Sequence, residues 1–460
     1  MGAKPAGQKN NRGRKSTMRI RKRTMSIGLA ALLAITAGCG SAKPENGAGE
    51  TKAADEKPPA VSTEPVTLTF YNLAGIGDLT FETLIEAPIK KKYPYITLKH
   101  IKNGKGTSLA DLLAAGTPPD LIHTTTTQVQ AVVDVGLQYD MTELIKRHKF
   151  ELGIFQDGVM DSVRKLSPKG EIYGLPANNN TAALYYNKDI FDQLGVPYPK
   201  DGMSWDEALE VAKKVTRVHN GTQYRGMQMS HSFLLDANPL SLNILDPSTH
   251  MPLQQADKWK SLFENWKRFY DIPGNALTEQ TYGSGQNDFM KNRTVAMYVA
   301  NNLVIAIEQA NDPGFNWDMV SMPFFKEAPA TATQMIAPLF MISPTVKNKD
   351  VAFQVVAEMF ADQVQKESAL TGRPSLMKND AIKMDIGKDL PPLKGKNAKA
   401  FYVSKLAPIP SFSKYESKAR PILNKAYQQY VLGQKDVNTA LREATEEIKA
   451  AIEAEIQSKK

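Results

Sequence analysis

"GEIYGLPANNNTAALYYNKDIFDQLGVPYPKDGMSWDEALEVAKKVT", residues 170–216, contains two short β-forming runs that a polar segment separates. The run EIYGLP (171–176) predicts a strand that ends at its proline, and AALYYNK (182–188) predicts a second strand. The intervening ANNN (177–180) consists of turn-forming residues. We interpret this polar connection as chain that crosses from one lobe of the protein to another.

A helix is predicted directly after these strands, within DGMSWDEALEVAKKVTRV (201–218). Ser204 and Glu207 have the spacing of a capping box, in which each side chain bonds the backbone N–H of the other residue. Apolar residues then recur at helical spacing. They are Ala208, Val211, Ala212, Val215 and Val218.

The chain before this stretch alternates predicted strands and helices. Strands are predicted at VTLTFYN (66–72), YITLKHI (95–101) and PPDLIHTT (118–125), and helices at FETLIEAPIKKKYP (81–94) and SLADLLAAG (108–116). A β-α-β-α-β order predicts an α/β fold in which a mainly parallel sheet has helices on both faces.

The predicted folded body, residues 65–460, is larger than one hydrophobic core usually supports. Single cores stop growing at about 250–300 residues, so two lobes are expected. The composition, 42% hydrophobic and 23% charged, is that of an ordinary soluble protein. VNTALREATEEIKAAIEAEIQ (437–457) predicts a final amphipathic helix whose apolar face packs on a core.

Cys39 is the only cysteine, and the residues before it explain its position. Residues 1–24 are basic and contain no acid, and residues 25–38, MSIGLAALLAITAG, are apolar or small. This pattern is typical of a secretory signal, and the apolar run is too short to span a membrane. With cleavage before Cys39, residues 1–38 resemble a bacterial lipoprotein signal peptide, which implies lipidation of Cys39 by groups that include palmitate.

Residues 39–64 predict a flexible linker, because GSAKPENGAGETKAADEKPPAVSTE (40–64) has no apolar periodicity. The net charge of +9 belongs to the signal, which holds nine of the 57 Lys and Arg residues. The remaining 48 basic residues equal the 48 acidic ones. The basic pI therefore gives no argument for a nucleic-acid partner.

Motifs for catalysis or metal binding are missing from the sequence. The six histidines include no pair at the spacing that places two ligands on one helix face, and neither HExxH nor GxSxG occurs. GIGDLT (75–80) lacks the third glycine of a dinucleotide loop. DVNTAL (436–441) lacks the central glycine of a calcium loop. The sequence thus gives no specific argument for an enzyme, a cofactor or a metal site.

Residues 65–460 resemble bacterial extracellular solute-binding proteins of family 1, the sugar-binding lipoproteins of ABC importers. The resemblance rests on GTPPDLIHTTT (116–126), on the segment 170–216 quoted above and on FNWDMVSMPFF (315–325). It implies two α/β lobes, each a mainly parallel sheet flanked by helices, with a ligand cleft between them. It also implies capture of a carbohydrate, delivery to the transmembrane subunits of an ABC permease, and no catalysis.

The resemblance places the first lobe at 65–177 and 327–370 and the second at 178–326 and 371–460. It also suggests where the ligand binds: the loop after the first strand, the loop after PDLI, the crossing segment, the turn in AMYVANNLVIA (296–306) and IPSFSKYESKARPIL (409–423). The candidates at these positions are Asn72, Asp78, Thr124, Thr126, Thr127, Asn178, Asn179, Asn180, Asn301, Asn302, Phe412 and Tyr415. Each assignment as a ligand contact has a structural alternative. Asn72 and Asp78 could equally belong to a plain turn, and Asn178–Asn180 could form a simple turn cluster. Phe412 and Tyr415 could instead pack in the core.

The four tryptophans do not occupy the positions where many sugar binders have them. Trp205 follows a helix cap, Trp317 precedes a strand, and Trp259 and Trp266 lie seven residues apart on a predicted buried face. A ligand held mainly by amides and hydroxyls is therefore favoured over a long α-glucan. We expect a monomer on the outer face of the cell membrane. Two alternatives stay open: an anchored enzyme acting on polysaccharides, and a ligand sensor for a membrane kinase.

Overall fold

The computed structural model describes residues 63–458. The predicted signal peptide, Cys39 and nearly all of the predicted linker lie outside these residues. Within them the strands are β1 (Val66–Asn72), β2 (Ile96–Lys102), β3 (Leu121–Thr125), β4 (Gly174–Pro176), β5 (Ala183–Asn187), β6 (Arg217–His219), β7 (Thr222–Met229), β8 (Val295–Ala300), β9 (Trp317–Ser321), β10 (Thr331–Gln334), β11 (Pro338–Ile342) and β12 (Lys405–Ala407).

The helices of the described residues surround these strands. They are α1 (Asp78–Phe81), α2 (Ala87–Lys92), α3 (Leu109–Ala114), α4 (Val129–Val133), α5 (Thr142–Arg147), α6 (Val159–Arg164), α7 (Lys188–Leu194), α8 (Trp205–Val215), α9 (His231–Asp236), α10 (Ala256–Tyr270), α11 (Glu279–Tyr282), α12 (Gly285–Met290), α13 (Val304–Ala310), α14 (Lys349–Glu358), α15 (Asp362–Leu370), α16 (Asp380–Met384), α17 (Glu416–Val431) and α18 (Val437–Ser458). A π-helical turn, Glu82–Glu86, joins α1 to α2. Short 3₁₀ helices cover Leu152–Ile154, Pro391–Leu393 and Ala398–Tyr402.

Two five-stranded sheets form the centres of two lobes. The first has the order β2-β1-β3-β11-β4, the second has the order β6-β7-β8-β5-β9, and β10 pairs with β12 in a separate two-stranded ribbon. Each sheet has its own hydrophobic core on a helix-covered face. The two-lobe α/β fold expected from the sequence is confirmed.

Both sheets are mixed, which corrects the prediction that they are mainly parallel. In the first sheet β1 pairs in parallel with β2 and β3, but β11 runs antiparallel to β3 and β4. In the second sheet only β7 and β8 are parallel, and the other three pairs are antiparallel. The local β-α-β pattern predicts only the strands that it connects. Strands such as β5 and β11 follow a crossing between lobes and enter their sheets from the opposite direction.

The second lobe has a large core in which the final helices take part. Ser204 and Glu207 form the predicted capping box at the start of α8. Trp259 and Trp266 are fully buried on α10, which agrees with their predicted place on a buried face. Helices α17 and α18 pack against α10 within this core. In residues 63–458, every helix is too short or too polar to cross a lipid bilayer.

Candidate ligand-binding cleft

The carboxyl ends of β1 and β3 lie next to each other in the first lobe. Parallel pairing places Asn72, the last residue of β1, opposite His123 of β3. The loops that follow these strands therefore start at one edge of the sheet. This edge is where open α/β folds generally bind ligands.

The segments that cross between the lobes run side by side at this edge. The backbone N–H of Asn180 donates to the carbonyl of Ile336, and that of Asn179 donates to the carbonyl of Pro374, each at 2.8 Å. The Asn301 amide, at the end of β8 in the second lobe, donates to Asn180 Oδ1 at 3.4 Å. We use the term inter-lobe cleft for the region bounded by these crossings, the loops after β1 and β3, and the facing residues of the second lobe.

Asn72 is buried, and its side chain shapes the loop after β1. Asn72 Oδ1 accepts hydrogen bonds from the backbone N–H groups of Gly75 (2.9 Å) and Ile76 (3.1 Å). Its Nδ2 donates to the Ile76 carbonyl at 2.7 Å and lies 3.2 Å from His100 Nε2. The amide is thus engaged within the protein, which matches the turn alternative. Its role as a ligand contact stays a prediction.

Asp78 lies at the start of α1 with an exposed side chain. Its carboxylate accepts a hydrogen bond from Lys102 Nζ at 2.6 Å and lies 3.6 Å from His100 Nδ1. The hydrogen bond from Lys102 lowers the pKa of Asp78. The carboxylate is solvated and paired, and its role as a ligand contact stays a prediction.

The three predicted threonines in and after β3 have different environments. Thr124 is fully buried, and its Oγ1 has no hydrogen-bond partner within the described part of the chain. Thr126 is also buried, and its hydroxyl donates to the Met335 carbonyl at 3.2 Å. Thr127 is partly exposed, with its Oγ1 3.0 Å from that of Thr125. Of the three, Thr127 has the most accessible hydroxyl.

The asparagines of the crossing segment and of the β8 turn also divide by environment. Asn178 is partly buried and lines a cavity of about 100 Å³ in the first lobe. Asn179 is buried, and its Oδ1 lacks a partner among residues 63–458. Asn302 donates through Nδ2 to the Gly372 carbonyl at 2.7 Å, and so attaches the second lobe to a crossing segment.

The two predicted aromatic contacts have separate locations. Phe412 is partly buried at a small cavity of about 40 Å³, which Thr126 and Thr127 also line. The Arg420 guanidinium lies 5.4 Å from the centre of the Phe412 ring. Tyr415 instead is 6% exposed in the core of the second lobe, with its ring edge-on to His250 at 4.9 Å. For Tyr415 the observed environment matches the core-packing alternative.

Glu416 was missed at the sequence level, although it belongs to the same cavity as Phe412. It is 6% exposed, and its Oε2 has no hydrogen-bond partner in the described residues. Burial raises the pKa of Glu416 to about 7, although the positive charge of Arg420 acts to lower it. Burial also raises the pKa of Asp236, at the end of α9. Glu416 and Arg420 are four residues apart and thus share a helix face, a signal that was present in YESKAR.

The arrangement is suited to holding polar ligands. Side-chain amides of the crossing segment and the second lobe meet at Asn180 and Asn301, and one small cavity is lined by Thr127 of the first lobe and by Phe412 and Glu416 of the second. Within residues 63–458, His, Cys, Asp and Glu side chains form no group of three or more that is placed to hold a metal ion. All four tryptophans are buried, so none offers an open platform to a sugar ring.

Comparison with known proteins gives a consistent assignment. The family model described as bacterial extracellular solute-binding protein matches residues 86–386, well over half of the chain. Among curated proteins, the sn-glycerol-3-phosphate-binding periplasmic protein UgpB of Brucella abortus is 34% identical over 68 residues. That match spans 15% of this chain and 15% of the relative.

Solved structures share the fold over nearly their whole length. A sugar transporter of Rhizobium etli in an open conformation aligns with a TM-score of 0.69 and 20% identity, covering 84% of this chain and 99% of its own. An ABC substrate-binding protein of Listeria monocytogenes in complex with cycloalternan aligns with a TM-score of 0.67 and 18% identity, covering 84% and 98%. With its two lobes and the extent of the family match, the chain belongs to the bacterial extracellular solute-binding proteins.

Proposed function

We propose that the protein is a receptor that captures a carbohydrate in the inter-lobe cleft and delivers it to an ABC-type permease. The observation that carries this proposal is the composition of the cleft. The Asn301 amide of the second lobe donates to Asn180 of the crossing segment, Asn178 lines one cavity beside that segment, and Thr127 lines another cavity with Phe412. Sugar hydroxyls both donate and accept hydrogen bonds, and these side chains offer both functions. The Listeria protein, which binds cycloalternan, has the same fold.

The receptor works by closure of its two lobes, which we assign to 65–177 with 327–370 and to 178–326 with 371–460. A ligand that contacts both lobes stabilises the closed arrangement only through interactions that the open arrangement lacks. The crossing segments then act as hinges, because they connect rigid sheets on either side. A permease distinguishes the loaded receptor by the surface that closure creates.

The ligand class is tested by thermal melting of residues 40–460 with mono- and oligosaccharides, and with amino acids and short peptides as controls. A ligand that binds only the folded state adds about 2.7 kcal/mol at 100 times its dissociation constant. We expect one sugar class to raise the melting midpoint and to be recovered chemically unchanged. A shift with amino acids or peptides alone would overturn the carbohydrate assignment.

One observation bears on the alternative of an anchored enzyme acting on polysaccharides. Glu416 is buried and Asp236 is partly buried; burial raises the pKa of Glu416, and the charge of Asp236 adds to that shift. Both belong to the second lobe, however, whereas glycosidases place their two carboxyl groups on either side of the scissile bond. Recovery of a cleaved sugar from the melting mixture would favour the enzyme.

We further propose that Cys39 is lipidated and anchors the receptor to the outer face of the membrane. A diacylglyceryl group supplies the two acyl chains that stable anchoring requires. Fractionation of cells that express the chain should place it with the membranes, and Cys39→Ala should move most of it to the soluble fraction. An equal distribution of the two proteins would overturn the anchor.

A further inference from the structure

Arg373 lies in a crossing segment, three residues after α15, and its hydrogen-bond partners among the described residues are neutral. Its guanidinium donates to Thr80 Oγ1 on α1 at 3.1 Å and to Thr371 Oγ1. Within residues 63–458, no carboxylate forms an ion pair with it. A guanidinium has five N–H donors, so these two hydrogen bonds leave donors for a further partner.

A partly buried charge without a counter-ion is unfavourable. Removal of a charge from water costs several kcal/mol unless an opposite charge and hydrogen bonds offset it. Burial lowers the pKa of Arg373, while the charge of Glu308 acts in the opposite direction. The partly buried charge of Arg225, by contrast, is compensated by an ion pair with the buried Asp288. Arg373 forms no such ion pair with any residue that the structure describes.

A cavity of about 100 Å³ adjoins Arg373 at the cleft edge of the first lobe. Thr80, Asn178 and His123 contribute polar groups to its lining, and much of the remaining lining is apolar. His123 is 3% exposed, and its Nδ1 has no hydrogen-bond partner in the described residues. Burial lowers the pKa of His123 to about 3, so the ring is neutral at physiological pH. A neutral imidazole can donate one hydrogen bond to an oxygen in this cavity.

We propose that the carbohydrate carries an anionic group, a carboxylate or a phosphate, and that Arg373 binds this group in the cavity beside Asn178. This inference rests on the proposed function and specifies its ligand. The anion supplies the missing counter-charge, and its oxygens accept hydrogen bonds from the guanidinium in the paired geometry that arginine favours. The apolar lining strengthens the interaction because it excludes water.

The test compares acidic sugars with their neutral counterparts by calorimetry on the purified protein. The carboxylate arm pairs oligogalacturonides with their methyl esters, and the phosphate arm pairs glucose 6-phosphate and glycerol 3-phosphate with glucose and glycerol. We expect at least one acidic probe to bind tenfold or more tightly than its counterpart. Arg373→Gln should abolish that preference and leave the affinity for the neutral probe within twofold. The arm that shows the preference identifies the anion.

Two further variants separate recognition of charge from a structural role. Arg373→Lys retains the positive charge and should keep more of the acid preference than Arg373→Gln. Arg442→Gln, at an exposed ion pair on α18, should leave binding unchanged. Without ligand, Arg373→Gln should melt no lower than the wild type, because it removes an unpaired charge. If Arg373→Gln does not fold, Thr80→Val removes one contact of the guanidinium and should reduce the acid preference severalfold.

The possible failures are distinguishable. If neutral sugars bind as tightly as acidic ones, or if Arg373→Gln keeps the acid preference, the anionic site is wrong and the carbohydrate receptor stands. If neither neutral nor acidic carbohydrates bind, the proposed function fails, and the anionic site fails with it.

Discussion

At the residue scale, Asn72 shows how a predicted ligand residue serves the architecture of the site. Three hydrogen bonds of its side chain hold residues 72–76 in place, and its Nδ2 also lies 3.2 Å from His100 Nε2. Asn72→Ala would leave two backbone N–H groups and one carbonyl without these partners. We expect a loss of about 3 kcal/mol in the free energy of unfolding, measured by urea denaturation.

The control for Asn72→Ala is Asn438→Ala, at an exposed position on α18, which should stay within about 0.5 kcal/mol of the wild type. If Asn72→Ala instead leaves stability unchanged but weakens binding of the ligand, the amide contacts the ligand directly, as the sequence predicted.

Glu416 gives a pH-dependent prediction. Burial raises the pKa of this carboxyl group from its ordinary value of 4.5 to about 7. Between these two pH values the unfolded chain releases the proton and the folded chain retains it, so stability falls as the pH rises. The groups that face Glu416 are Arg420, Asp236 and the backbone N–H groups of residues 244 and 245.

Glu416→Gln removes this titration, and its effect should therefore grow with pH. We expect little difference from the wild type at pH 4.5, and a variant that is more stable by about 3 kcal/mol at pH 8. Denaturation at a series of pH values measures the difference. The exposed Glu453→Gln, on α18, should show no such trend. A Glu416→Gln effect that is equal at all pH values would mean that the carboxyl group titrates as in the unfolded chain.

The sequence predicted ligand contacts at Asn178, Asn180 and Asn301; the structure places Asn180 and Asn301 in contact beside the crossing segments, and their role as ligand contacts stays a prediction. The same reasoning missed Glu416 and Arg373. These two residues stand out only in the folded protein, where each charged group is at least partly buried and lacks a full set of partners. Burial of a charge depends on elements far apart in sequence. Arg373, for example, contacts Thr80, which lies 293 positions earlier. No local pattern carries that information.

At the element scale, the packing of α8 on β7 depends on a glycine. A Cβ added at Gly226 would overlap the carbonyl oxygen of Ala212 and the hydroxyl of Thr216 at the end of α8. Thr216 itself donates to the Ala212 carbonyl at 2.7 Å, so neither atom can move away freely. We expect Gly226→Ala to reduce the free energy of unfolding by about 3 kcal/mol, measured by urea denaturation.

Gly153→Ala is the matched control for Gly226→Ala. A Cβ at Gly153 meets no atom within 4 Å, and the backbone there does not need positive φ. Its effect should stay within about 0.5 kcal/mol. If the two substitutions change the free energy of unfolding equally, α8 and β7 can move apart to accept the extra Cβ without a measurable loss of stability.

Individual elements were predicted well where the signal is local. The bounds of β1 agree with the predicted 66–72, and the capping box at Ser204 marks the start of α8. Strand pairing was predicted less well. The direction of β11 depends on the route of the chain after it leaves the second lobe, and β-forming residues specify a strand without specifying its neighbours.

At the scale of the whole molecule, two lobes followed from length alone, because one core rarely organises about 400 residues. The structure adds how the lobes are connected. Asn302 donates to the Gly372 carbonyl, and Asn180 pairs with Asn301, so hydrogen bonds join the second lobe to the crossing segments. We expect movement of one lobe relative to the other to be absorbed in these crossing segments.

Ligand binding should consequently make the molecule more compact. The ligand changes the balance of open and closed forms only by the difference in its affinity for them, and contacts from both lobes exist only in the closed form. We expect the radius of gyration, measured by small-angle X-ray scattering, to fall when the sugar that raises the melting midpoint is added to saturation. A sugar that leaves the midpoint unchanged is the control and should leave the radius unchanged. If the stabilising sugar binds while the radius stays constant, the ligand contacts one lobe alone, and a permease would have to recognise the loaded receptor by something other than lobe closure.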